Sequence, residues 1–492
     1  MKKRIIVIIF LAIIFAVLLW FFVLTRTFLN ISSSTGAFEI YQNGTRVLSD
    51  QKNGIVYLKK GNYTIVETKD GNSISAQYLS TTILPWQSVS IIPPSVTKET
   101  YKARLLLGRQ AVMITPLGDG YLYKNPETRG IEYADASGIK DVSSSFDIVS
   151  KELTEPDSSY NTLVNIEKGS DATYVTTSRA IYRLTSLNDI QGSSLDGIII
   201  TRSSLDNKAK KINFIVFNGK GTYSAYSLPT NNLTSPIQQV ISGNVLINKI
   251  DSNGNTAVVY NDNIPNTTSA TTNIYKATRQ VSPVIIDLKT SKTVELKTPQ
   301  DTPIADLTLD ENGKYIAYRA KMSDYISILD KEDHKEIAKL PATTLTKLKW
   351  DSDTLYYNYG PLLLAYSPKD SNSTSSVSMS APYSITDFAY RGSTPVVTTN
   401  ENFSFIGSKS TMNVDTSKIL FSSADEGYSL SFSAIDDSLH IFLQCNQDYT
   451  CNPGGKYSQT LTQLSKLTGK NATVQNVPGD FFFGNYSFLK TD

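Results

Sequence analysis

Similar short hairpins recur along this chain at nearly constant spacing. Leu309-Asp310-Glu311-Asn312-Gly313-Lys314-Tyr315-Ile316-Ala317-Tyr318 and Ile250-Asp251-Ser252-Asn253-Gly254-Asn255-Thr256-Ala257-Val258-Val259-Tyr260 each read as a strand, an acidic-Asn-Gly turn and a second strand of β-branched and aromatic residues. Asn, Asp and Gly reach the backbone angles that tight hairpins require. Looser copies follow at Leu348-Lys349-Trp350-Asp351-Ser352-Asp353-Thr354-Leu355 and Phe432-Ser433-Ala434-Ile435-Asp436-Asp437-Ser438-Leu439. One apolar marker behind each turn gives Tyr174, Phe214, Val258, Ile316, Leu355, Val396 and Leu439, at intervals of 40, 44, 58, 39, 41 and 43 residues. The long interval contains 261–273, whose Asn, Thr and Ser content marks a surface insertion. A weaker copy is suggested by Ala111-Val112-Met113-Ile114 and Gly120-Tyr121-Leu122-Tyr123.

A repeat of this length holds a four-stranded sheet, and one such sheet cannot bury both of its faces alone. Stacking copies radially covers the faces and leaves only short edges, so the spacing predicts an all-β chain with a β-propeller over 100–492. Seven blades fit best, and six or eight are also compatible with the spacing. The run Asn312-Gly313-Lys314-Tyr315-Ile316-Ala317-Tyr318 resembles the WD40-like blades of the TolB family, in which a Ser-Pro-Asp-Gly-Lys hairpin precedes an Ile-Ala-aromatic strand. Asp310-Glu311 replaces the Ser-Pro half, so the resemblance implies an architecture and carries no role with it.

The N-terminus adds a second constraint. Met1-Lys2-Lys3-Arg4 precedes twenty consecutive apolar residues, Ile5 to Leu24, without charge, Gly or Pro. As a helix these span about 30 Å, the thickness of a bilayer core. The run exceeds the usual signal-peptide core and is followed by Thr25-Arg26-Thr27-Phe28-Leu29, with no small-x-small cleavage site. We therefore expect a cytoplasmic stub at 1–4, an uncleaved signal anchor at 5–24 and an extracytoplasmic remainder, the basic residues staying inside.

Between anchor and repeats lies a compact β pattern. Gly36-Ala37-Phe38-Glu39-Ile40-Tyr41 enters the turn Gln42-Asn43-Gly44-Thr45, and Gly54-Ile55-Val56-Tyr57-Leu58 leads to Gly61-Asn62-Tyr63-Thr64-Ile65, with Gly71 behind. This pattern resembles the PEGA domain, a small extracytoplasmic β-sandwich, although the usual Gly-x-x-Pro element is missing. The resemblance implies a β-domain over 30–94 and fits attachment to envelope polymers. Pro93-Pro94 cannot sit inside a central strand and places a boundary near 94–100.

The chain has 492 residues and a formal net charge of +2, with 47 basic and 45 acidic residues spread evenly, so a nucleic-acid binder is disfavoured. Beyond the N-terminal Lys2-Lys3-Arg4, Lys208-Ala209-Lys210-Lys211 is the local basic cluster and reads as a solvated hairpin. Its 28 tyrosines favour half-buried pleated surfaces.

No recognisable catalytic, phosphate-binding or metal-binding motif stands in the sequence. There is no Gly-x-Ser-x-Gly elbow, and Gly192-Ser193-Ser194-Leu195-Asp196-Gly197 does not fit one. Gly219-Lys220-Gly221-Thr222 and Gly469-Lys470-Asn471 lack Walker spacing. The two histidines, His334 and His440, stand in a charged turn and at an alternating strand position. Asp251-Ser252-Asn253-Gly254-Asn255 begins like a calcium loop but lacks the distal acidic ligand. We thus expect no catalytic, cofactor or metal residues.

The reading that results is a single-pass, non-enzymatic binding or scaffold protein of the cell envelope, with an envelope protein or polysaccharide as ligand. Two alternatives stand beside it: an exported hydrolase using scattered carboxylates, and an accessory subunit of an envelope membrane complex. The only cysteines, Cys445 and Cys451, read as a structural disulfide closing a short loop. Replacing Cys445 with Ser is expected to lower the melting temperature under oxidising conditions, by about 2 kcal/mol of stability. An identical melt for the two proteins would show that no bond forms.

Overall fold

The computed structural model describes residues 26–81, 86–92, 100–107, 111–135, 138–148, 161–195, 198–219, 222–235, 237–241, 249–253, 256–260, 284–287, 292–295, 304–369, 373–400, 404–408, 428–433, 439–445, 472–477 and 486–491, with the isolated Phe15, Pro94 and Thr290. The protein is all-β over these residues: apart from the 3₁₀ turn Ser143–Phe146, the regular elements are strands. No helix among the described residues is long and apolar enough to cross a membrane. The anchor expected at 5–24 lies outside the described residues, save Phe15.

The chain opens with two facing sheets. Arg26–Ser32 runs between Gly54–Lys59, antiparallel, and Trp86–Ser90, parallel. Facing it, Thr45–Lys52, Ala37–Gln42, Asn62–Lys69 and Asn72–Ser80 follow one another across an antiparallel sheet. Successive side chains of a strand point to opposite faces, and Leu29 and Ile31 turn inward to meet Phe38, Ile40, Val56, Leu58, Tyr63 and Ile65. The Asn43-Gly44 turn has φ values of 51° and 77°, the left-handed pair that a two-residue hairpin needs. Glu67 is fully buried and accepts hydrogen bonds from Ser34 Oγ, the Thr35 N–H and Ser75 Oγ at 2.6, 3.0 and 3.0 Å, fixing the 33–36 turn over the sheet. The first strand starts at Arg26, ahead of residue 30, where the sequence placed the start of this unit.

Seven four-stranded antiparallel sheets follow. The first six are built in chain order from strands within 112–141, 163–194, 200–241, 249–295, 304–341 and 348–380. The seventh takes Ile385–Arg391, Thr394–Thr399 and Ser404–Ser408, and its fourth strand is Tyr101–Leu107, from ahead of the first sheet. First strands of successive sheets touch along the series from first to sixth, and Ile385–Arg391 touches Val112–Leu117 of the first sheet. Apolar clusters fill the spaces between faces. Leu117, Leu122 and Ile131 meet Ile166, Val175 and Leu184 between the first and second sheets. Tyr174 and Ile181 meet Ile212 and Phe214 between the second and third. Ile114, Tyr121 and Tyr123 meet Val396 and Ile406 between the first and seventh.

Six of the seven apolar markers fall on second strands of these sheets. The exception is Leu439, in a strand that pairs with Tyr428–Ser433 and Tyr486–Thr491 as part of a separate C-terminal group. The remaining sheet is the weaker copy at 112–141. Spacing alone does not separate a hairpin inside the stack from one appended to it.

The N-terminal unit is fused to the sixth sheet. Asn72–Ser80 adds antiparallel to the outer strand Thr374–Ser380, with Ala76 opposite Ser375. Tyr41, Val66 and Ala76 join one cluster with Ile328, Leu355, Tyr357, Tyr359 and Val377, so the two units share a core. The Asn43-Gly44 tip presses on the Gly360 turn, where a Cβ on Gly360 would lie 2.1 Å from the Gly44 carbonyl oxygen.

Gly360 and Gly392 both have positive φ, 53° and 59°, but Gly392 faces open space. Gly392→Ala is expected to cost the backbone term alone, about 1–2 kcal/mol. Gly360→Ala adds the clash with Gly44, for a total of about 2–5 kcal/mol. Urea melts of the two variants check the difference, and equal midpoints would mean that the units do not meet at this turn.

Candidate functional site

Polar side chains on the first strands of the sheets stand where the strands of neighbouring sheets come together. The strands Leu163–Lys168, Ile304–Leu309 and Ile385–Arg391 each shift register directly behind their first residue. Such a bulge bends the strand and re-aims the side chain that follows. That side chain is Asn165, Asp306 or Asp387, and each does the same two things. Oδ1 accepts from the next backbone N–H, of Ile166, Leu307 and Phe388, at 3.0, 3.0 and 2.8 Å. The other terminal atom crosses to the next sheet. Asp306 Oδ2 accepts from the Leu348 N–H at 3.1 Å and Asp387 Oδ2 from the Met113 N–H at 2.9 Å. Asn165 Nδ2 instead donates to the Ser203 carbonyl at 3.2 Å.

Two further groups extend the pattern. Glu167 accepts from the Leu205 N–H at 3.0 Å. Between the sixth and seventh sheets, Asn358 Nδ2 donates to the Ile385 carbonyl at 2.6 Å, and Lys349 Nζ reaches Asp387 Oδ1 at 3.1 Å and the Phe388 carbonyl. Met113 has a φ of 57°, left-handed and unfavourable for a long side chain, and it holds this conformation while its N–H meets Asp387. Burial opposes charge on Asp387, yet the Lys349 ammonium and the Phe388 and Met113 N–H groups together hold its carboxyl below the usual range.

The chemistry of this arrangement is cohesion. Each of these carboxylates is an acceptor for fixed donors. The same holds for Glu132, which takes Tyr123 Oη at 2.7 Å and Asn125 Nδ2 at 2.8 Å. Burial pushes the Tyr356 hydroxyl up to about 12 and raises Tyr357 further, so both stay protonated at neutral pH; Tyr357 Oη lies 2.7 Å from Ser375 Oγ.

The residues singled out from sequence do not converge. His334 sits at a φ of 57° in the turn between Tyr325–Asp330 and Glu336–Pro341, and His440 stands on the C-terminal strand opposite Ser433 and Lys490. Lys208-Ala209-Lys210-Lys211 forms a turn in which Asp206 Oδ1 accepts from the Ala209 N–H at 2.8 Å. Gly219 pairs with Thr222, and 220–221 lie outside the described residues. Among the described residues no three His, Cys, Asp or Glu side chains are grouped as metal ligands. Cys445 ends a strand, and Cys451 lies outside the described residues, as does the disulfide expected between them. Sequence reasoning missed Asn165, Asp306 and Asp387. Their shared signature is an apolar residue, any residue, Asp or Asn, then an apolar residue: Leu163-Val164-Asn165-Ile166, Ile304-Ala305-Asp306-Leu307 and Ile385-Thr386-Asp387-Phe388.

No family model and no curated protein matches the chain. Among solved structures, a computationally designed protein named Ika8 has a TM-score of 0.37 at 8% identity, covering 77% of this chain and 98% of its own. A nidogen/laminin complex has a TM-score of 0.31 at 10% identity, covering 57% of this chain and 90% of its own. Likenesses of this size carry no functional argument.

Asp387→Asn is expected to destabilise the protein by about 2–4 kcal/mol, because an amide cannot accept from both N–H groups and leaves Lys349 without its counter-charge. The folded-state pKa is depressed, so this contribution is fully present above the unfolded carboxylate value and is lost as pH falls below about 4. Melting temperatures of both proteins between pH 3 and 7 check this prediction, and the gap between them should narrow at the acidic end.

Proposed function

We propose that this chain is a membrane-anchored extracytoplasmic binding or scaffold protein of the cell envelope, with no chemistry of its own. In this reading residues 1–4 are cytoplasmic, Ile5 to Leu24 cross the membrane, and the N-terminal unit is a PEGA-like module. The seven sheets are the blades of a β-propeller, and their connecting loops present the surface that binds an envelope protein or polysaccharide. The observation that carries this reading is the use made of Asp306, Asp387 and Glu167, whose carboxylates take backbone N–H groups of the adjoining sheet. Carboxylates committed in this way hold a platform together. Its loops are then free to vary without loss of the frame.

The reading predicts saturable retention of a protein or glycan when the protein, started at residue 26 so that the strand Arg26–Ser32 stays whole, is used as bait against envelope extract. Mass spectrometry separates the two outcomes. Turnover of polysaccharide with release of soluble fragments would overturn the proposal in favour of a hydrolase.

A further inference from the structure

The outer face of the sheet formed by Gly54–Lys59, Arg26–Ser32 and Trp86–Ser90 is covered by no other strand among the described residues, and its composition is unusual for a solvated surface. Phe28 stands directly between Tyr57 and Trp86, its partners in register on either side. The Phe28 ring stacks on Trp86 at 4.7 Å between centroids and tilts against Tyr57 at 4.8 Å. Trp86 is 68% exposed, Tyr57 39% and Ile55 73%. One step towards the start of the strand, Arg26 lies opposite Lys59, and its guanidinium sits 5.3 Å from the Tyr57 ring centroid. The other faces of these strands are turned inward with Leu29, Ile31, Val56 and Leu58, so the aromatic row is surplus to the core.

This face begins next to the apolar run. The apolar run Ile5 to Leu24 ends two residues before Arg26 in sequence, and Lys59 closes its strand at the same end. Reading away from the apolar run, the face therefore presents a cationic pair, Arg26 and Lys59, followed by three aromatic rings in a line and then Ile55. Trp and Tyr concentrate where bilayers meet water, because their rings are apolar and their polar edges stay hydrated. Basic side chains beside them match lipid phosphates.

We propose that this face lies flat against the bilayer as a membrane-contact surface that seats the N-terminal sandwich in the headgroup layer of the outer leaflet, the Trp86, Phe28 and Tyr57 rings reaching between headgroups to the upper acyl carbons and the Arg26 and Lys59 side chains meeting phosphate oxygens beside them. The occupant is the bilayer surface itself. The inference rests on the anchor reading above and deepens it, since the surface fixes the orientation of everything beyond the anchor. With it, the sandwich and the sixth sheet fused to it keep a set angle to the membrane.

The test uses the full chain in vesicles of phosphatidylcholine and phosphatidylglycerol, and exploits its three tryptophans, Trp20, Trp86 and Trp350. A Trp20→Phe, Trp350→Phe variant leaves Trp86 as sole reporter, and a Trp86→Phe, Trp350→Phe variant leaves Trp20. Lipids brominated high on the acyl chain are expected to reduce Trp86 emission more than lipids brominated near the chain end, with a blue shift relative to detergent-free urea. If Trp20 is quenched by brominated lipid while Trp86 responds only to aqueous acrylamide, the contact surface is refuted and the anchor stands. If neither tryptophan is quenched by lipid, the anchor fails and this inference fails with it. Arg26→Glu with Lys59→Glu provides a second reading: Trp86 quenching by lipid should weaken while Trp20 quenching is unchanged, and no change in either would remove the role assigned to the cations.

Discussion

The strand Tyr101–Leu107 is the piece on which the rest of the fold depends. It supplies the fourth strand of the seventh sheet through antiparallel pairing with Ser404–Ser408, and so joins the two ends of a succession of sheets about three hundred residues long. It also lies parallel to Met379 and Ser380 of the sixth sheet, and Leu107 receives Ser433 from the C-terminal group. Backbone pairing is indifferent to side-chain identity, which suits a junction whose members are far apart in sequence. The bond from the Met113 N–H to Asp387 then ties the first strand of the first sheet to that of the seventh. Pairing sets the register at this junction, and the carboxylate holds the approach of the two faces.

Cohesion elsewhere is divided between two kinds of interaction. Apolar faces pack between the first and second, second and third, fourth and fifth, fifth and sixth, and first and seventh sheets, and burial of this kind supplies most of the stability. Polar atoms near the converging strands supply direction: Asp306, Asp387 and Asn165 use one atom to stiffen their own bulge and the other to reach the neighbour. Donor and acceptor are matched at every one of these crossings, with Asn serving where the neighbour offers a carbonyl and Asp where it offers an N–H. A buried polar group left without its partner costs more than a made bond gains, so these few atoms discriminate strongly against slipped packings of the sheets.

Much of the frame could be read from sequence because hairpins advertise themselves locally. Asn43-Gly44 and Asp310 to Lys314 declare turns through residues that tolerate unusual backbone angles, and their period exposes the four-stranded unit. The hairpin at Leu439 obeys the same local rules although it stands outside the seven sheets, and for that reason the period placed it with the others. Tyr101–Leu107 escaped notice because nothing in seven residues tells a strand that its partner lies at 404–408. The inner carboxylates were overlooked for a related reason. An acidic residue within an apolar strand looks like a defect until the bulge that turns it toward the next sheet is seen.

The placement of Tyr101–Leu107 also determines when the protein can become whole. A chain delivered from its N-terminus presents this strand and the edge Asn72–Ser80 early, yet their partners, Ser404–Ser408 and Thr374–Ser380, emerge only after nearly three hundred further residues. The sandwich can gather its local core at once, because that core draws on residues between Leu29 and Ile91. Its outer edge must wait, and so must the lone strand behind it. Non-local pairing of this kind folds slowly and leaves unpaired edges open to other chains in the meantime. The same joint that secures the finished molecule therefore sets a long interval of vulnerability during its delivery, in which a holding chaperone would have most to protect between residues 72 and 107.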